Sequence, residues 1–330
     1  MKATAIANSN IALVKYWGKR NEEIILPQNS SISMTLDSLH TTTTVEFSKK
    51  LKEDSLIIDG KKVPENETEK VSKHLGLVRK LSGKELFAKV ESENNFPKAA
   101  GLASSASGFA ALSLAATKAF DLHLDKKELS VLARQGSGSA SRSIFEGFAE
   151  WLKGSQIDGS DSYAKQIAPK DHWPELTMVI PVLTTKEKKI KSRAGMTQTV
   201  ANSPLYQSWL DTIESDLDKV REGILEKRFS QLGKTAELNA LKMHSTMLTT
   251  DPHIIYWEPQ SITMMKEVML MREEGIEAYF TIDGGPQIKI LCLDKNAKKI
   301  ENRVKEMKEV KKTYLCKAGD GAKLIDKDLF

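Results

Sequence analysis

The stretch PKAAGLASSASGFAAL, Pro97 to Leu112, constrains the fold of this chain more than any other. It sets six small residues between Ala99 and Ser105, and apolar residues at helical spacing follow. A helix start needs only one capping serine, so this density of small side chains serves close approach of the backbone to something else. That something is either a neighbouring sheet or an anion held by N–H groups at the helix N-terminus, where the helix dipole adds to the attraction. Phe109 follows Gly108 where a Walker loop needs Lys-Ser or Lys-Thr, and no Gly-x-Ser-x-Gly elbow is present. The motif alone leaves helix packing and phosphate binding both open.

Around it the chain alternates strand and helix signals. Residues 1 to about 50 read as short β-like runs, with SISMTLD and TTTTVEF suiting a half-buried strand. LIIDGKKV carries the Asp59-Gly60 hairpin turn. Helices are expected near Glu67 to Ser82, from the small-residue loop to about Phe120, and from Lys126 to Gln135. A second small-residue loop, GSGSASRS, follows. HWPELTMVIPVLTT brings a proline and then an apolar strand, which places a domain boundary between residues 173 and 174. Ser203 and Pro204 then read as the start of an amphipathic helix carrying Leu205, Trp209, Ile213, Leu217, Val220 and Ile224. Helices at about 228 to 248 and 259 to 273, the strands EAYFTI and IKILCL around DGGPQ, a charged helix and the strand KTYLCKA complete the chain.

Composition excludes several classes. The 330 residues, 40% of them hydrophobic, suffice for two ordinary cores. The net charge of +5 comes from lysines interleaved with acids, as in KNAKKIENRVKEMKEVKK, which is the pattern of a solvated helix face. With aromatics at 6% there is no stacking platform for nucleic acid. A mild positive field still favours anionic substrates. Cys292 and Cys316 sit in strand-like apolar runs and read as buried thiols, and the six histidines lack metal-ligand spacing. No apolar run is long enough to span a bilayer, and the N-terminus does not read as a signal peptide, so a cytoplasmic protein is expected.

The loop from Pro97 to Gly108 resembles the phosphate loop of the GHMP kinase superfamily, which binds ATP without a Walker motif. AAGLASSASGFAAL is most similar to the diphosphomevalonate decarboxylase family. NIALVKYWGKR (Asn10 to Arg20), GSGSASRSIFEGFAEW (Gly136 to Trp151) and YFTIDGGPQIKIL match that family too, and in its order. The resemblance implies an α+β fold of two domains, 1–173 and 174–330. The first would be like ribosomal protein S5 domain 2 and the second ferredoxin-like, with the active site in the cleft between them. It also implies ATP and Mg2+ as cofactors, 5-diphosphomevalonate as substrate, no nucleic-acid or membrane partner, and a homodimer. Other kinases and monophosphate decarboxylases on the same scaffold are the rival readings, and retention of Tyr16, Lys19 and Arg193 favours a diphosphate.

By the same resemblance, Asp283 is the carboxylate beside the hydroxyl that is phosphorylated. Arg142 holds the substrate carboxylate bidentately, with Asn10 beside it. Tyr16, Trp17, Gly18 and Lys19, the loop residues Ser137, Gly138, Ser139, Ala140 and Ser141, and then Ser192 and Arg193 belong to the substrate site, with Trp17 mainly packing. Gly101, Leu102, Ala103, Ser104, Ser105 and Ser107 line the ATP phosphates. Lys61 has two readings, the counterpart of a basic residue near the substrate or an ordinary solvated hairpin lysine. No adenine pocket is readable.

Overall fold

The computed structural model describes residues 1–96, 104–184, 186 and 188–330. The expected phosphate-loop residues Gly101, Leu102 and Ala103 therefore lie outside the described residues.

Strand β1 (Lys2–Val14) is followed by a small hairpin, β2 (Lys19–Asn21) and β3 (Leu26–Pro27), and by the long strand β4 (Ser31–Ser48). β1 and β4 pair antiparallel along most of their lengths, where short runs were expected. The polar residues that suggested interruptions are absorbed by cross-strand hydrogen bonds. The Thr4 and Thr44 hydroxyls lie 2.7 Å apart, and those of Thr43 and Ser92 2.9 Å. The pairing slips twice, where Asn8 faces His40 but Asn10 faces Thr35, and again where Ala12 faces Ser33 but Val14 faces Ile32. A bulge of this kind re-aims the side chains beside it.

The hairpin of β5 (Ser55–Ile58) and β6 (Lys61–Lys62) turns at Asp59-Gly60, both with positive φ, as the sequence predicts. After α1 (Glu65–Ser82) and β7 (Phe87–Asn94) come α2 (Ser104–Ala119), α3 (Lys126–Gly136) and the single turn α4 (Ala140–Ser143). β8 (Phe148–Trp151) and β9 (Ala164–Ala168) pair off the first part of β4, while the main path runs β1-β4-β7-β5-β6. Helix α2 lies on β1 and β4. Its Ala106, Ala110, Ala111, Ala115 and Ala116 are fully buried, so the helix body packs closely on the sheet, while of the six small residues at its start only Ser104 and Ser105 are among the described residues.

The second half contains β10 (Leu176–Val182), α5 (Ser192–Asn202), α6 (Tyr206–Leu210), α7 (Ile213–Leu225), α8 (Phe229–Leu248) and α9 (Pro259–Glu273). After these come β11 (Ala278–Ile282), β12 (Ile288–Leu293), α10 (Asp294–Lys305), β13 (Lys312–Cys316) and β14 (Lys323–Ile325). An antiparallel sheet forms in the order β11-β12-β10-β13, with both thiols buried in it.

The helix expected to start at Ser203 is corrected. Ser203 instead closes α5, its N–H bonded to the Thr199 carbonyl. The apolar periodicity then runs across two helices, α6 and α7, because Asp211 and Thr212 keep near-helical dihedrals and the Thr212 hydroxyl caps the Trp209 carbonyl. The last residues return to the first sheet: Ala318 bridges Leu36, and β14 pairs with β1. One buried cluster, including Ile11, Met34, Leu217, Leu232 and Met243, joins β1 and β4 to α7 and α8. The two halves therefore share a core, which fixes the cleft between them.

Candidate active site

A cavity of about 850 Å3 opens where the start of α2, the 137–139 loop, the start of α5 and the turn after β11 converge. Asp283 lines it. Its Oδ1 lies 2.7 Å from Lys15 Nζ and its Oδ2 3.0 Å from Lys289 Nζ. Both lysine side chains are buried, while the aspartate side chain keeps a quarter of its surface exposed to the cleft. Lys15 also donates to the Ala12 carbonyl at 2.7 Å. His244 on α8 donates from Nε2 to the Asp283 carbonyl at 3.1 Å, and Lys188 donates to the Gly284 carbonyl and, at 2.5 Å, to Ser192 Oγ. The turn is thus held through its backbone as well as its side chain.

Electrostatics follow from this crowding. Burial by itself would raise the Asp283 pKa, but the Lys15 and Lys289 ammoniums outweigh it and hold the carboxyl well below the usual carboxylate range. Burial lowers Lys15 to about 8, against the pull of Asp283 and helped by repulsion from Lys289. Burial likewise brings Lys188 down to about 8 and keeps His244 neutral, with a pKa pushed down to about 3. Asp283 is an anion at any working pH.

Arg142, on α4, is 2% exposed. Its described partners are neutral: Nε donates to Ser33 Oγ at 2.9 Å and to Asn10 Oδ1 at 3.2 Å, and Nη1 to Ser31 Oγ at 2.5 Å. Asn10 in turn donates to the Ser139 carbonyl and Ser143 Oγ. Burial pulls the guanidinium down to about 10, so it remains charged beside the cavity that it lines.

The polar end of the cavity carries Tyr16, Lys19, Ser137, Gly138, Ser139, Ser192 and Arg193. Lys19 is ion-paired with Glu22, which also accepts a hydrogen bond from Thr197. A Cβ on Gly138 would fall 2.6 Å from Trp151 and 2.9 Å from Tyr16, so only glycine lets this loop sit against the ring pair. Gly18 has φ +105° and faces the Tyr206 hydroxyl, which anchors the Trp17 carbonyl at 2.7 Å. Trp17 is buried with its indole donating to Thr199, and it also lines the cavity.

Three expectations, at Ser107, Ser141 and Ala140, depart from the geometry, and at Lys61 the solvated reading fits. The Ser107 hydroxyl is buried and bonded to Thr41 at 2.7 Å, tying α2 to β4 rather than facing the cavity. Ser141 is buried too, its hydroxyl bonded to the Gly138 carbonyl, and Ala140 packs in the core. Lys61 is exposed on β6, outside the cavity lining. Ser104 and Ser105, by contrast, line the cavity at the start of α2, with Ser105 3.3 Å from Ser137.

Sequence reasoning missed Lys15, Lys188, Lys289 and His244. Lys15 in ALVKYW and Lys289 in QIKIL each interrupt an apolar run with a cation, which is the signal that was available. It also missed the apolar end of the cavity, formed by Leu56, Ile58, Val71, Val90, Phe109 and Leu112, with Lys70 at its edge. These residues come from four elements that only folding brings together. Among the described residues no group of three His, Cys, Asp or Glu could hold a metal ion. A divalent cation that fits this site is one carried by phosphate oxygens, water and hydroxyls such as Ser104 and Ser105.

Residues 7–164 match the diphosphomevalonate decarboxylase-like N-terminal domain, and residues 178–325 match the mevalonate 5-diphosphate decarboxylase C-terminal domain. A diphosphomevalonate decarboxylase of Candida albicans is 38% identical over 90% of this chain and 86% of its own. The crystal structure of mevalonate diphosphate decarboxylase from Staphylococcus aureus superimposes with a TM-score of 0.94 at 42% identity, covering 98% of both chains. A structure described as MDDEF in complex with MVAPP, AMPPCP and magnesium does so with a TM-score of 0.93 at 46% identity, covering 99% of both.

Proposed function

From the premise that this chain belongs to the diphosphomevalonate decarboxylase family, we propose a division of labour among the residues of its cleft. The activity itself is the ATP- and Mg2+-dependent decarboxylation of (R)-5-diphosphomevalonate to isopentenyl diphosphate, ADP, phosphate and carbon dioxide. ATP supplies the phosphoryl group that turns the tertiary hydroxyl into a leaving group, and Mg2+ neutralises the phosphate charge.

Asp283 orients the 3-hydroxyl and takes its proton as the oxygen bonds to phosphorus. Because the two lysines keep it ionised, it is ready to accept without prior deprotonation. Lys15 stands beside it to stabilise the negative charge that gathers at the transferring group. Arg142, whose described partners are uncharged, has its charge free for the substrate carboxylate and holds it until the C–C bond breaks, with Asn10 fixing the guanidinium. The electron pair of that bond becomes the double bond as phosphate departs from C3, so no acid is needed at the carbon. Tyr16, Lys19, Ser139, Ser192 and Arg193 hold the diphosphate. Ser104, Ser105 and the N-terminus of α2 face the nucleotide phosphates, and the apolar end around Leu56, Val71 and Phe109 receives the adenine.

The observation that carries this reading is a carboxylate between two buried ammoniums, facing one cavity with a buried arginine. Its test is a product analysis with ATP, Mg2+ and, separately, mevalonate, its 5-phosphate and its 5-diphosphate. Isopentenyl diphosphate and carbon dioxide should appear only with the last. We also propose residues 1–173 as the ATP-binding domain, a cytoplasmic location and a homodimer. Supporting the dimer, Ile262 and Met269 lie exposed a heptad apart on α9, with Leu270 beside them. Sedimentation equilibrium and cell fractionation test these two.

A further inference from the structure

We propose that Lys289 is a positioning residue for phosphoryl transfer: it anchors Oδ2 of Asp283 from behind, which leaves Lys15 as the cation able to turn between that carboxylate and the substrate. The inference rests on the reading of Asp283 as the catalytic carboxylate.

The two lysines are not equivalent. Lys15 follows β1 and lines the cavity, whereas Lys289 belongs to β12, is fully buried and does not line it. In the β11–β12 pair Lys289 stands opposite Thr281, so Asp283 is its diagonal neighbour on the same face. That register brings the ammonium to Oδ2 at 3.0 Å while Lys15 approaches Oδ1 at 2.7 Å. One cation is enough to neutralise one carboxylate, and burying a second ammonium is costly. An arrangement with a fixed cation on the inner oxygen and an accessible one on the outer oxygen gives the second lysine a purpose. When Lys15 moves toward a transferring phosphoryl group, Lys289 keeps Asp283 ionised and in place.

Among the described residues, the charged and titratable groups facing Asp283 are Lys15, Lys289, Lys188 before α5, Arg142 on α4 and His244 on α8, and His244 is neutral. Removing the Lys289 charge therefore acts on both members of the outer pair in a defined direction. Asp283 becomes easier to protonate, and Lys15, relieved of a repelling neighbour, keeps its proton to higher pH.

The experiment is the pH dependence of kcat in Lys289→Met, with Lys289→Arg and Asp283→Asn beside it. Lys289→Met should lower kcat by about 10- to 100-fold, the scale of a misplaced reacting group, while the KM values for ATP and 5-diphosphomevalonate stay within about twofold of wild type. The alkaline limb of its kcat profile, set by Lys15, should move to higher pH. Lys289→Arg should keep that limb near its wild-type position. A kcat loss with an unmoved alkaline limb means that Lys289 is only structural, and a wild-type kcat means that it does nothing for the reaction; either overturns the inference. Should the Met variant not fold, Lys289→Gln, which retains a donor toward Oδ2, carries the same readout. Near-normal turnover in Asp283→Asn would instead remove the reading on which the inference stands.

Discussion

At the scale of single residues, the charge on Asp283 matters more than its shape. Asp283→Asn preserves the turn, since Gly284, Gly285 and the His244 bond to the backbone carbonyl are untouched. It should leave ATP binding and folding close to normal while turnover falls about 10²- to 10⁴-fold, the range for a general base. ADP and carbon dioxide release, measured together, check this, and near-normal release of both would contradict it. Lys19 and Arg193 act on binding instead. Either one changed to Ala should weaken 5-diphosphomevalonate binding by roughly 1.5 to 3 kcal/mol, the range for hydrogen bonds to charged groups. Lys19 is expected at the lower end, because Glu22 already occupies its ammonium and must yield to the substrate. Titration calorimetry with the diphosphate reads both values.

At the scale of elements, helix α2 does two jobs on two faces. Its alanines and Ser107 lie against β1 and β4, and Ser104 and Ser105 face the cavity. The two serines therefore part company under mutation. Ser107→Ala leaves the buried Thr41 hydroxyl with one partner fewer and should destabilise the protein by about 1 to 3 kcal/mol, with little change in the KM for ATP. Ser105→Phe should instead raise the KM for ATP and leave the urea midpoint near wild type. The reverse pattern in paired unfolding and kinetic measurements would place Ser107, not Ser105, at the phosphates. The DGGPQ turn shows the same economy, joining β11 to β12 so that the carboxylate at one strand end meets the lysine one residue into the next.

At the scale of the whole molecule, one core running from β1 and β4 to α7 and α8 holds the halves together, and part of its stability is linked to pH. His74 and His244 are buried, and burial lowers their pKa values from 6.5 to about 4 and about 3. A folded-state pKa below the unfolded value means that the unfolded chain binds the extra proton, so this stability is complete above pH 6.5 and is lost as pH falls. Each histidine should cost about 1.4 kcal/mol per pH unit below 6.5 until its own folded value is reached. Urea unfolding at pH 7, 6 and 5 measures the slope. His74→Gln, which keeps a partner for Ser113, should make it shallower by one histidine's share, and an unchanged slope would count against the linkage.

Resemblance to a family pointed to Asp283, Arg142 and Lys19, and the sequence by itself determined the small-residue helix start, the Asp59-Gly60 turn and most helix and strand positions. These are local signals, because capping, turn chemistry and periodicity act over a few residues. Tertiary structure alone decided what those residues touch. Lys289 is 274 positions from Lys15, and only the approach of the end of β1 to β11, where Thr281 bonds the Ala12 carbonyl, sets them on two oxygens of one carboxylate. The split of the helix after Ser203, the inward turn of Ser107 and the apolar pocket at the far end of the cleft belong to the same class. Each depends on which surfaces the core brings together, and no stretch of chain carries that information on its own.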